Sequence, residues 1–450
     1  MAEYMRKPNV LLIVPRYFST KVCGYIMPLG ILYVSAALKA SGVANVFTLN
    51  LNHQEEDDET VLRRWIADNS IDIVGSTGIS GQFIEVYPML QTVRRIAPHV
   101  RIIVGGGMIT ADAVSAMEAF GGTVDYGCIG EGEITVPELV TAIFRNKPTA
   151  GIKGLIYREN GEWIITPRRE DIMDLDSIPF PDYAGFDYDK YLAANGETEN
   201  GIKYSPVAII GGRSCKYNCT FCFHPSGSRY RQRSLDSIFA EIDYLVSHYE
   251  VNYIALREEL FASDVQRVLD FCERIKSYPL VWSIQLRVDS VTPEMVAALK
   301  NSNCRYVFLG IESADNRILK SMRKHITIEQ VEYALNLAIS AGLDTRSTII
   351  LGDEIESVES AYRTVEWWQK HRRFSSIVMD MIIAFPGSTL YRHARMNGRI
   401  PDPIQFLKDG CPIINLSTEM SDEEYLKLVE DISRFNHISY NVHNYRQTPR

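Results

Sequence analysis

Residues 211–225 read Gly-Gly-Arg-Ser-Cys-Lys-Tyr-Asn-Cys-Thr-Phe-Cys-Phe-His-Pro and contain three cysteines, Cys215, Cys219 and Cys222. Three thiolates on one short loop can bind three irons of a cubane cluster and leave the fourth iron open. An open iron can bind a further molecule, which a closed four-ligand site cannot do. The loop therefore predicts a reactive iron–sulfur centre.

The alternative for this loop is a structural zinc site, with His224 as a conceivable fourth ligand. Zinc sites usually combine two nearby ligands with a second pair at a distance, and the sequence contains no second pair. The other cysteines are scattered and lie mostly in apolar runs, as buried free thiols do: Cys23, Cys128, Cys272, Cys304 and Cys411. The number of ligands therefore favours the cluster.

The composition is that of an ordinary globular protein. The chain has 450 residues, enough for two or three domains, and a formal net charge of -9. No apolar stretch is long enough to cross a bilayer, so we expect a cytoplasmic protein with no membrane partner. The absence of a sustained basic run argues against nucleic acid, and the acidic balance is compatible with a cationic substrate.

The first part of the chain alternates short apolar runs with amphipathic segments. Val10–Val14 predicts a buried strand, residues 28–39 a helix, and the alternation continues to a last helix at 136–144. This pattern predicts a doubly wound parallel sheet covered on both faces. Ligands bind such sheets at the carboxyl ends of the strands, where Ser76 and the run Gly105-Gly106-Gly107 are found.

A second series of strands and helices begins at residue 206, with the cysteine loop directly after its first strand. Later strands are predicted at 253–256, 281–286, 306–309, 346–351 and 377–384. Between the two series, residues 146–205 indicate a connector with a hairpin around Asn160-Gly161. We expect domains at 1–145 and 206–400, joined by that connector, and a C-terminal helical segment at 401–450.

The cysteine loop resembles that of the radical S-adenosylmethionine (SAM) superfamily, Cys-x3-Cys-x-aromatic-Cys, with Phe221 at the aromatic position. The resemblance implies a [4Fe-4S] cluster whose open iron binds the amino and carboxylate groups of SAM. Reductive cleavage then yields methionine and a 5′-deoxyadenosyl radical. It also implies a partial (β/α)6 barrel for the second series, a small-molecule substrate and a flavodoxin- or ferredoxin-type electron donor.

The first series, with Pro28-Leu29-Gly30, resembles the cobalamin-binding domain that precedes the barrel in one subgroup of this superfamily. It departs from the subgroup because no Asp-x-His-x-x-Gly follows the first strand, and Met108 stands where a polar residue is common. We interpret His53 as a surface histidine rather than a ligand. The alternative for the whole domain is a retained fold that holds no cobalamin.

Side chains at strand ends of the barrel face the reaction chamber in this family. The resemblance implies SAM contacts for Glu259, Gln285, Arg287 and Glu312, with Glu258 beside the ammonium group. The fifth strand has Asp353 and Glu354 where the family often has proline, and the sixth contributes Asp380. If Glu258, Asp353, Glu354 and Asp380 all face the chamber, it is acidic and contains a general acid. The alternative is that Asp353 and Glu354 cap the next helix.

These carboxylates favour a radical dehydration. The resemblance extends to the radical SAM diol dehydratase of deoxy-aminoglycoside antibiotic biosynthesis, which implies removal of a hydroxyl from an aminosugar-type substrate. Two alternatives remain open at this point. One is cobalamin-dependent methyl transfer to a small-molecule natural product, and the other is a nonenzymatic iron–sulfur sensor. His325 is expected on the surface, after a solvent-facing segment at 322–324.

Overall fold

A computed structural model of the chain describes residues 6–17, 25–199, 201–227, 229–261, 264–372 and 375–436. These residues form two compact units. The first unit takes the described residues up to Ser205 together with His224–Gly227 and Asp402–Gly410, so it includes the predicted connector. The second takes the remaining described residues from Pro206 onward. Cys23 and the end of the predicted C-terminal segment lie outside the described residues.

The first unit contains a seven-stranded sheet in the order β2-β1-β3-β4-β5-β6-β7. Its first five strands are parallel, and the last two form an antiparallel extension at one edge. The strands are β1 Asn9–Val14, β2 Asn45–Asn50, β3 Ile73–Thr77, β4 Arg101–Gly105, β5 Tyr126–Cys128, β6 Leu155–Glu159 and β7 Glu162–Ile165. The predicted parallel sheet is confirmed, and the hairpin assigned to the connector is part of it.

Helices cover this sheet, and the apolar strand β1 is buried on both of its faces. Residues 10–14 of β1 are at most 3% exposed. The helices are α1 Leu29–Ser41, α2 Asp58–Asp68, α3 Phe83–Ile96, α4 Gly107–Ala111, α5 Ala113–Ala119, α6 Gly132–Phe144 and α7 Tyr188–Ala194, followed by the small hairpin β8 Glu197–Glu199 and β9 Ile202–Tyr204. Helix α5 begins after Asp112, whose side chain accepts from Ser115 N and so caps it.

The second unit contains a six-stranded parallel sheet in the order β10-β13-β14-β15-β16-β17. The strands are β10 Pro206–Ile209, β13 Tyr253–Leu256, β14 Val281–Leu286, β15 Cys304–Glu312, β16 Asp344–Leu351 and β17 Ser376–Met381, and the separate hairpin is β11 Gly212–Arg213 with β12 Arg231–Gln232. Sequence order equals spatial order along this sheet, which is the arrangement of a partial (β/α)6 barrel. The predicted fold class is confirmed.

Helices follow the strands of the second unit. They are α8 Leu235–Tyr249, α9 Val265–Ile275, α10 Pro293–Asn301, α11 Asn316–Ser321, α12 Ile328–Ser340, α13 Val358–His371 and α14 Thr389–Met396. Of the last two helices, α15 Pro403–Lys408 packs on α3 and α5 of the first unit, and α16 Asp422–Asn436 packs on α13 and β17 of the second. Among the described residues we find no helix with the length and apolar character of a membrane span.

Candidate functional site

The cysteine loop leaves the second unit's sheet after β10 and is closed at its base by the β11–β12 hairpin. Gly212 pairs with Gln232, and Arg213 with Arg231. Behind the hairpin, Arg267 donates to the carbonyl oxygens of Gly211 at 3.3 Å and Arg233 at 2.8 Å. These bonds fix the two ends of the loop, so its cysteines are presented by a rigid base.

The middle of the loop is held from the other side by backbone hydrogen bonds. Thr220 donates its N–H to Met322 O at 3.0 Å and accepts from Leu390 N at 3.0 Å. Gly387, at φ 87°, lies against the Phe223 ring so closely that any Cβ would overlap it. The Phe385-Pro-Gly-Ser388 turn therefore supports the loop from the sixth strand.

Two of the three residues in the segment after α11, predicted to be solvent-facing, are buried, whereas Arg323 is exposed as predicted. Met322 is fully buried and Lys324 is 7% exposed, whereas His325 is exposed as expected. The segment turns inward because Arg323, at φ 52°, offers its carbonyl to the Cys219 thiol at 3.8 Å. Burial of this segment places a lysine directly behind the cysteine loop.

Lys324 forms a buried ion pair with Glu312 across the inner surface of β15. The Nζ–Oε1 distance is 2.5 Å, and both side chains are less than 10% exposed. A Cβ on Gly310 would lie 2.7 Å from Lys324 Nζ, so the pair occupies the space that the glycine leaves free. Lys324 Nζ also lies 6.0 Å from the centre of the Phe221 ring. Burial alone would lower the pKa of Lys324, but the Glu312 carboxylate raises it, so the lysine is charged.

Arg287 is the second cation beside the loop. Its guanidinium lies 3.7 Å from the centre of the Tyr217 ring and donates to Lys324 O at 2.6 Å. Asp289 accepts from it in a fork at 3.0 and 3.1 Å. Arg287 thus lies beside the cysteines. Its guanidinium packs on the Tyr217 ring, and one of its N–H groups holds the backbone at Lys324.

These surroundings shift the pKa values of the three cysteine thiols. A hydrogen bond with Cys222 lowers the pKa of Cys219 to about 6, helped by the charges of Lys324 and Arg287, and the same bond raises the pKa of Cys222. Burial raises the pKa of Cys215. Nearby cations favour the thiolate that iron requires. The donor set therefore fits a cluster bound by three cysteines.

No group of three or more His, Cys, Asp or Glu side chains converges on a single metal-ion position within the described part of the chain. A four-ligand zinc site needs such convergence. A cubane does not need it, because each cysteine binds a different iron. The arrangement fits the cluster interpretation of the loop.

Glu258 and Glu259 lie in different surroundings although they are neighbours in the sequence. Glu258 is 6% exposed and accepts from Gly211 N at 3.2 Å, while its Oε1 has no partner among the described residues. Burial raises the pKa of Glu258 to about 7. Glu259 is half-buried, and its charge raises the pKa of the Cys215 thiol. Glu259 is therefore the carboxylate on the cysteine side, and Glu258 supports the base of the loop.

The acidic residues after the fifth strand are also separated. Asp353 is fully buried and accepts from Ser321 Oγ at 2.5 Å and Ile355 N at 3.2 Å. Glu354 pairs with His393 Nδ1 at 2.9 Å. Neither caps α13, because the cap is Ser357, which accepts from Ser360 N at 3.2 Å. The capping alternative is therefore wrong, and a place for Asp353 and Glu354 in an acidic chamber stays a prediction.

The barrel's inner face has a different character from the one expected. Side chains alternate along a strand, and the register aligns Gln285 with Phe308 and Phe308 with Arg346. Arg257 lies over the Phe308 ring at 4.3 Å, so it belongs to the same face. Asp380, half-buried, lies higher on this face, and its carboxylate accepts from Met381 N at 2.8 Å. Two arginines therefore share this face with the carboxylate of Asp380, and Asp344 is in register with Tyr306 two residues before Arg346.

In the first unit, the glycine run after β4 forms a close turn against β3. Gly106 has φ 84°, and any Cβ there would overlap Thr77 Oγ1. Gly107 begins α4, and Gly105 ends β4 beside Cys128. Ser76 donates to Ile13 O at 3.0 Å, which joins β3 to β1. A turn without side chains allows a ligand to approach the backbone.

Polar atoms without partners are buried at the same edge of this sheet. Tyr17 Oη, His53 Nδ1 and Glu85 Oε2 follow β1, β2 and β3, and none has a hydrogen-bond partner among the described residues. Such atoms usually contact a ligand or water. His53 is half-buried and its Nε2 lies 3.1 Å from Tyr25 Oη, so its interpretation as a surface histidine is wrong. Glycines and unpartnered polar groups fit a large polar cofactor such as cobalamin.

Sequence reasoning missed four residues of these sites. Lys324 and Tyr217 lie beside the cysteines, and Tyr17 and Glu85 lie at the edge of the first sheet. Lys324 could have been found from the sequence. It follows the end of helix α11 by three residues, and a lysine side chain is long enough to reach back over the sheet. Tyr17 and Glu85 carried no signal, because only folding brings residues after different strands together.

Comparisons with known proteins follow the same division of the chain. The Radical SAM superfamily profile matches residues 209–367, and the B12 binding domain profile matches residues 16–140. An uncharacterized methyltransferase of Pyrococcus horikoshii is 30% identical over 330 residues, which are 72% of this chain and 70% of that protein. The anaerobic magnesium-protoporphyrin IX monomethyl ester cyclase of Rubrivivax gelatinosus is 27% identical over 381 residues, 80% of this chain and 66% of the cyclase.

Among solved structures, the fold is similar to that of TsrM from Kitasatospora setae, a radical SAM methyltransferase determined with cobalamin and a [4Fe-4S] cluster bound. The TM-score is 0.70 at 20% sequence identity, over 86% of this chain and 79% of that one. At this identity the likeness concerns the fold. It covers both the doubly wound sheet and the barrel.

Proposed function

Because the chain belongs to the radical SAM superfamily and its first unit matches the B12 binding domain, we propose that it is a cobalamin-dependent enzyme that transfers a methyl group from SAM to a small-molecule substrate. The observation that carries this proposal is the set of buried, unpartnered polar atoms of Tyr17, His53 and Glu85. Buried polar groups are costly without hydrogen bonds, and a polar cofactor bound at this edge would supply them.

The predicted dehydration is replaced by methyl transfer for two reasons. It required several carboxylates in one chamber, yet Glu258 accepts from Gly211 N at the base of the cysteine loop and Asp353 accepts from Ser321 Oγ. The relatives also favour methylation, since the Pyrococcus protein is described as a methyltransferase. A nonenzymatic sensor finds no support in these comparisons.

When bound, the cluster and cobalamin would supply one-electron chemistry and a carrier for the methyl group. Cys215, Cys219 and Cys222 would hold the cluster. Lys324 and Arg287 place positive charge behind it, and Glu259 lies where it can accept from the SAM ammonium group. Glu312 is held by Lys324, which fixes the position of its second carboxylate oxygen. The Gly105–Gly107 turn with Tyr17 and Glu85 would hold cobalamin.

Anaerobic reconstitution tests the proposal. The full-length protein is loaded with iron, sulfide and hydroxocobalamin and desalted, and its visible spectrum is recorded. We expect about one cobalamin and one [4Fe-4S] cluster per chain, and SAM cleavage after addition of dithionite. Cys219→Ser should lose the cluster and retain cobalamin, whereas Cys272→Ser, in a buried thiol of α9, should lose neither. Failure to retain cobalamin would overturn methyl transfer, and failure to cleave SAM would restore the sensor alternative.

A further inference from the structure

Two aromatic rings of the cysteine loop each lie against a buried cation. Tyr217 stands between the first and second cysteines, and Arg287 Cζ is 3.7 Å from the centre of its ring. Phe221 stands between the second and third cysteines, and Lys324 Nζ is 6.0 Å from the centre of its ring. Both cationic side chains are at most 10% exposed. Positive charge therefore lies against both segments that join the cysteines.

Lys324 is held at its backbone and at the tip of its side chain. Its carbonyl oxygen accepts from Arg287 Nη2 at 2.6 Å, and its Nζ donates to Glu312 Oε1 at 2.5 Å. The carbonyl of the preceding residue, Arg323, accepts from the Cys219 thiol at 3.8 Å. The lysine charge therefore has a fixed place relative to the central cysteine of the loop.

The ion pair of Lys324 and Glu312 acts on this cysteine as a net positive charge. A hydrogen bond with Cys222 is the largest cause of the lowered pKa of Cys219, and burial opposes it. Among the charges, Lys324 lowers this pKa most, Arg287 lowers it less, and the opposing effect of Glu312 is smaller than either. Buried charges are screened less than exposed ones. A charge that stabilises a thiolate also stabilises an electron added to iron bound there.

We infer that the positive charge of Lys324 raises the reduction potential of the cluster that the three cysteines would hold. This inference rests on the proposed function, because it concerns how the same site accepts its electron. The step moves one electron from a flavodoxin- or ferredoxin-type donor to the cluster and breaks no bond. A buried cation favours the reduced form, since the electron adds to the negative charge of three thiolates. Glu312 then serves to keep Lys324 charged and in place.

The test is an anaerobic redox titration of the full-length protein loaded with cluster and cobalamin, without SAM. The EPR signal of the reduced cluster is followed at low temperature. In Lys324→Met, we expect the ratio of reduced to oxidised cluster at a fixed potential to fall about 10-fold, which is a midpoint potential about 59 mV more negative. Lys324→Arg keeps the charge and should retain most of the potential.

A second variant covers the case in which Lys324→Met does not fold. The double variant Lys324→Met with Glu312→Gln leaves no unpaired buried charge. Because Lys324 acts on the loop more strongly than Glu312, the double variant should also have a more negative potential, with a smaller shift than Lys324→Met. An unchanged potential in Lys324→Met or in the double variant would overturn the inference.

Two controls separate the charge from general effects. Lys320→Met removes an exposed lysine of α11, and Leu299→Ala opens a cavity at a buried position of α10 without a change in charge. Neither should move the potential, and an equal shift in Leu299→Ala would assign the effect to stability and overturn the inference. A loss of SAM affinity in Lys324→Met without a shift in potential would also overturn it, by assigning Lys324 to SAM binding. Cobalamin retention and SAM cleavage are measured separately on the unmodified protein, so a failure of methyl transfer is recognised independently.

Discussion

Lys324 Nζ lies 2.5 Å from Glu312 Oε1, and the two side chains meet in the space above Gly310. This ion pair is buried and lies directly behind the cysteine loop. Buried pairs are stable only when both partners are present, because either charge alone is poorly solvated. The pair therefore links the fourth strand to the loop that would hold the cluster.

Replacement of Lys324 by methionine should leave Glu312 as an unpaired buried carboxylate. We expect a loss of about 3–5 kcal/mol in the free energy of unfolding of the second unit. Urea unfolding followed by tryptophan fluorescence reports it, because Trp282 of the second unit is fully buried in the folded state. The double variant Lys324→Met with Glu312→Gln should recover part of the loss, whereas Lys320→Met, at an exposed position of α11, should have little effect. An additive double variant would show that the two groups do not interact.

Gly310→Ala should displace the same pair without removing a charge. Its Cβ would lie 2.5 Å from Glu312 Oε1 and 2.7 Å from Lys324 Nζ, so both side chains must move. Such overpacking costs about 1–3 kcal/mol. We also expect weaker SAM binding, measured by equilibrium dialysis on the reconstituted protein. Gly151→Ala is the control, since nothing lies within 4 Å of that position. Unchanged SAM affinity in Gly310→Ala would separate the ion pair from SAM binding.

Gly106→Ala tests the glycine turn of the first unit. The new Cβ would overlap Thr77 Oγ1, and the backbone is at φ 84°. We expect cobalamin retention after desalting to fall at least several-fold while the cluster remains. Gly122→Ala is the control that separates backbone strain from steric overlap. Gly122 also has a positive φ of 83°, but no atom lies within 4 Å of a Cβ added there. That control should cost about 1 kcal/mol of stability and leave cobalamin bound. Equal loss in both variants would assign the effect to backbone strain.

The buried carboxyl of Glu356 should make stability depend on pH. Burial raises its pKa from 4.5 to about 7. The folded state thus holds a proton that the unfolded state releases, so the contribution to stability is full below about pH 4.5 and is lost as the pH rises through 7. The loss approaches about 3 kcal/mol, from about 1.4 kcal/mol for each pH unit.

Glu258, with a pKa of about 7, adds a second contribution of the same sign. Glu356→Gln should therefore reduce the decline of the urea midpoint between pH 5 and 7, and a further Glu258→Gln change should reduce it again. Glu359→Gln is the control, because the Glu359 side chain is 84% exposed. An unchanged decline in Glu356→Gln would show that this carboxyl ionises normally in the folded protein.

Local sequence patterns predicted most of the fold. The strands at 253–256 and 281–286 were predicted at their observed bounds, because each is an apolar run between turn residues. Carboxylates were the least predictable feature. Whether Glu258 or its neighbour Arg257 faces inward depends on strand register, which distant residues set.

The sequence by itself determined the three-cysteine loop and its place after the first strand of a parallel series, because ligand spacing and strand–helix alternation are local properties of the chain. The tertiary structure decided which charges lie beside that loop and which line the barrel. Lys324 and Glu312 meet over Gly310, and Arg257 and Arg346 converge on neighbouring rings, only because the packing of separate strands brings them together. Those contacts depend on register and burial, which no single stretch of sequence contains.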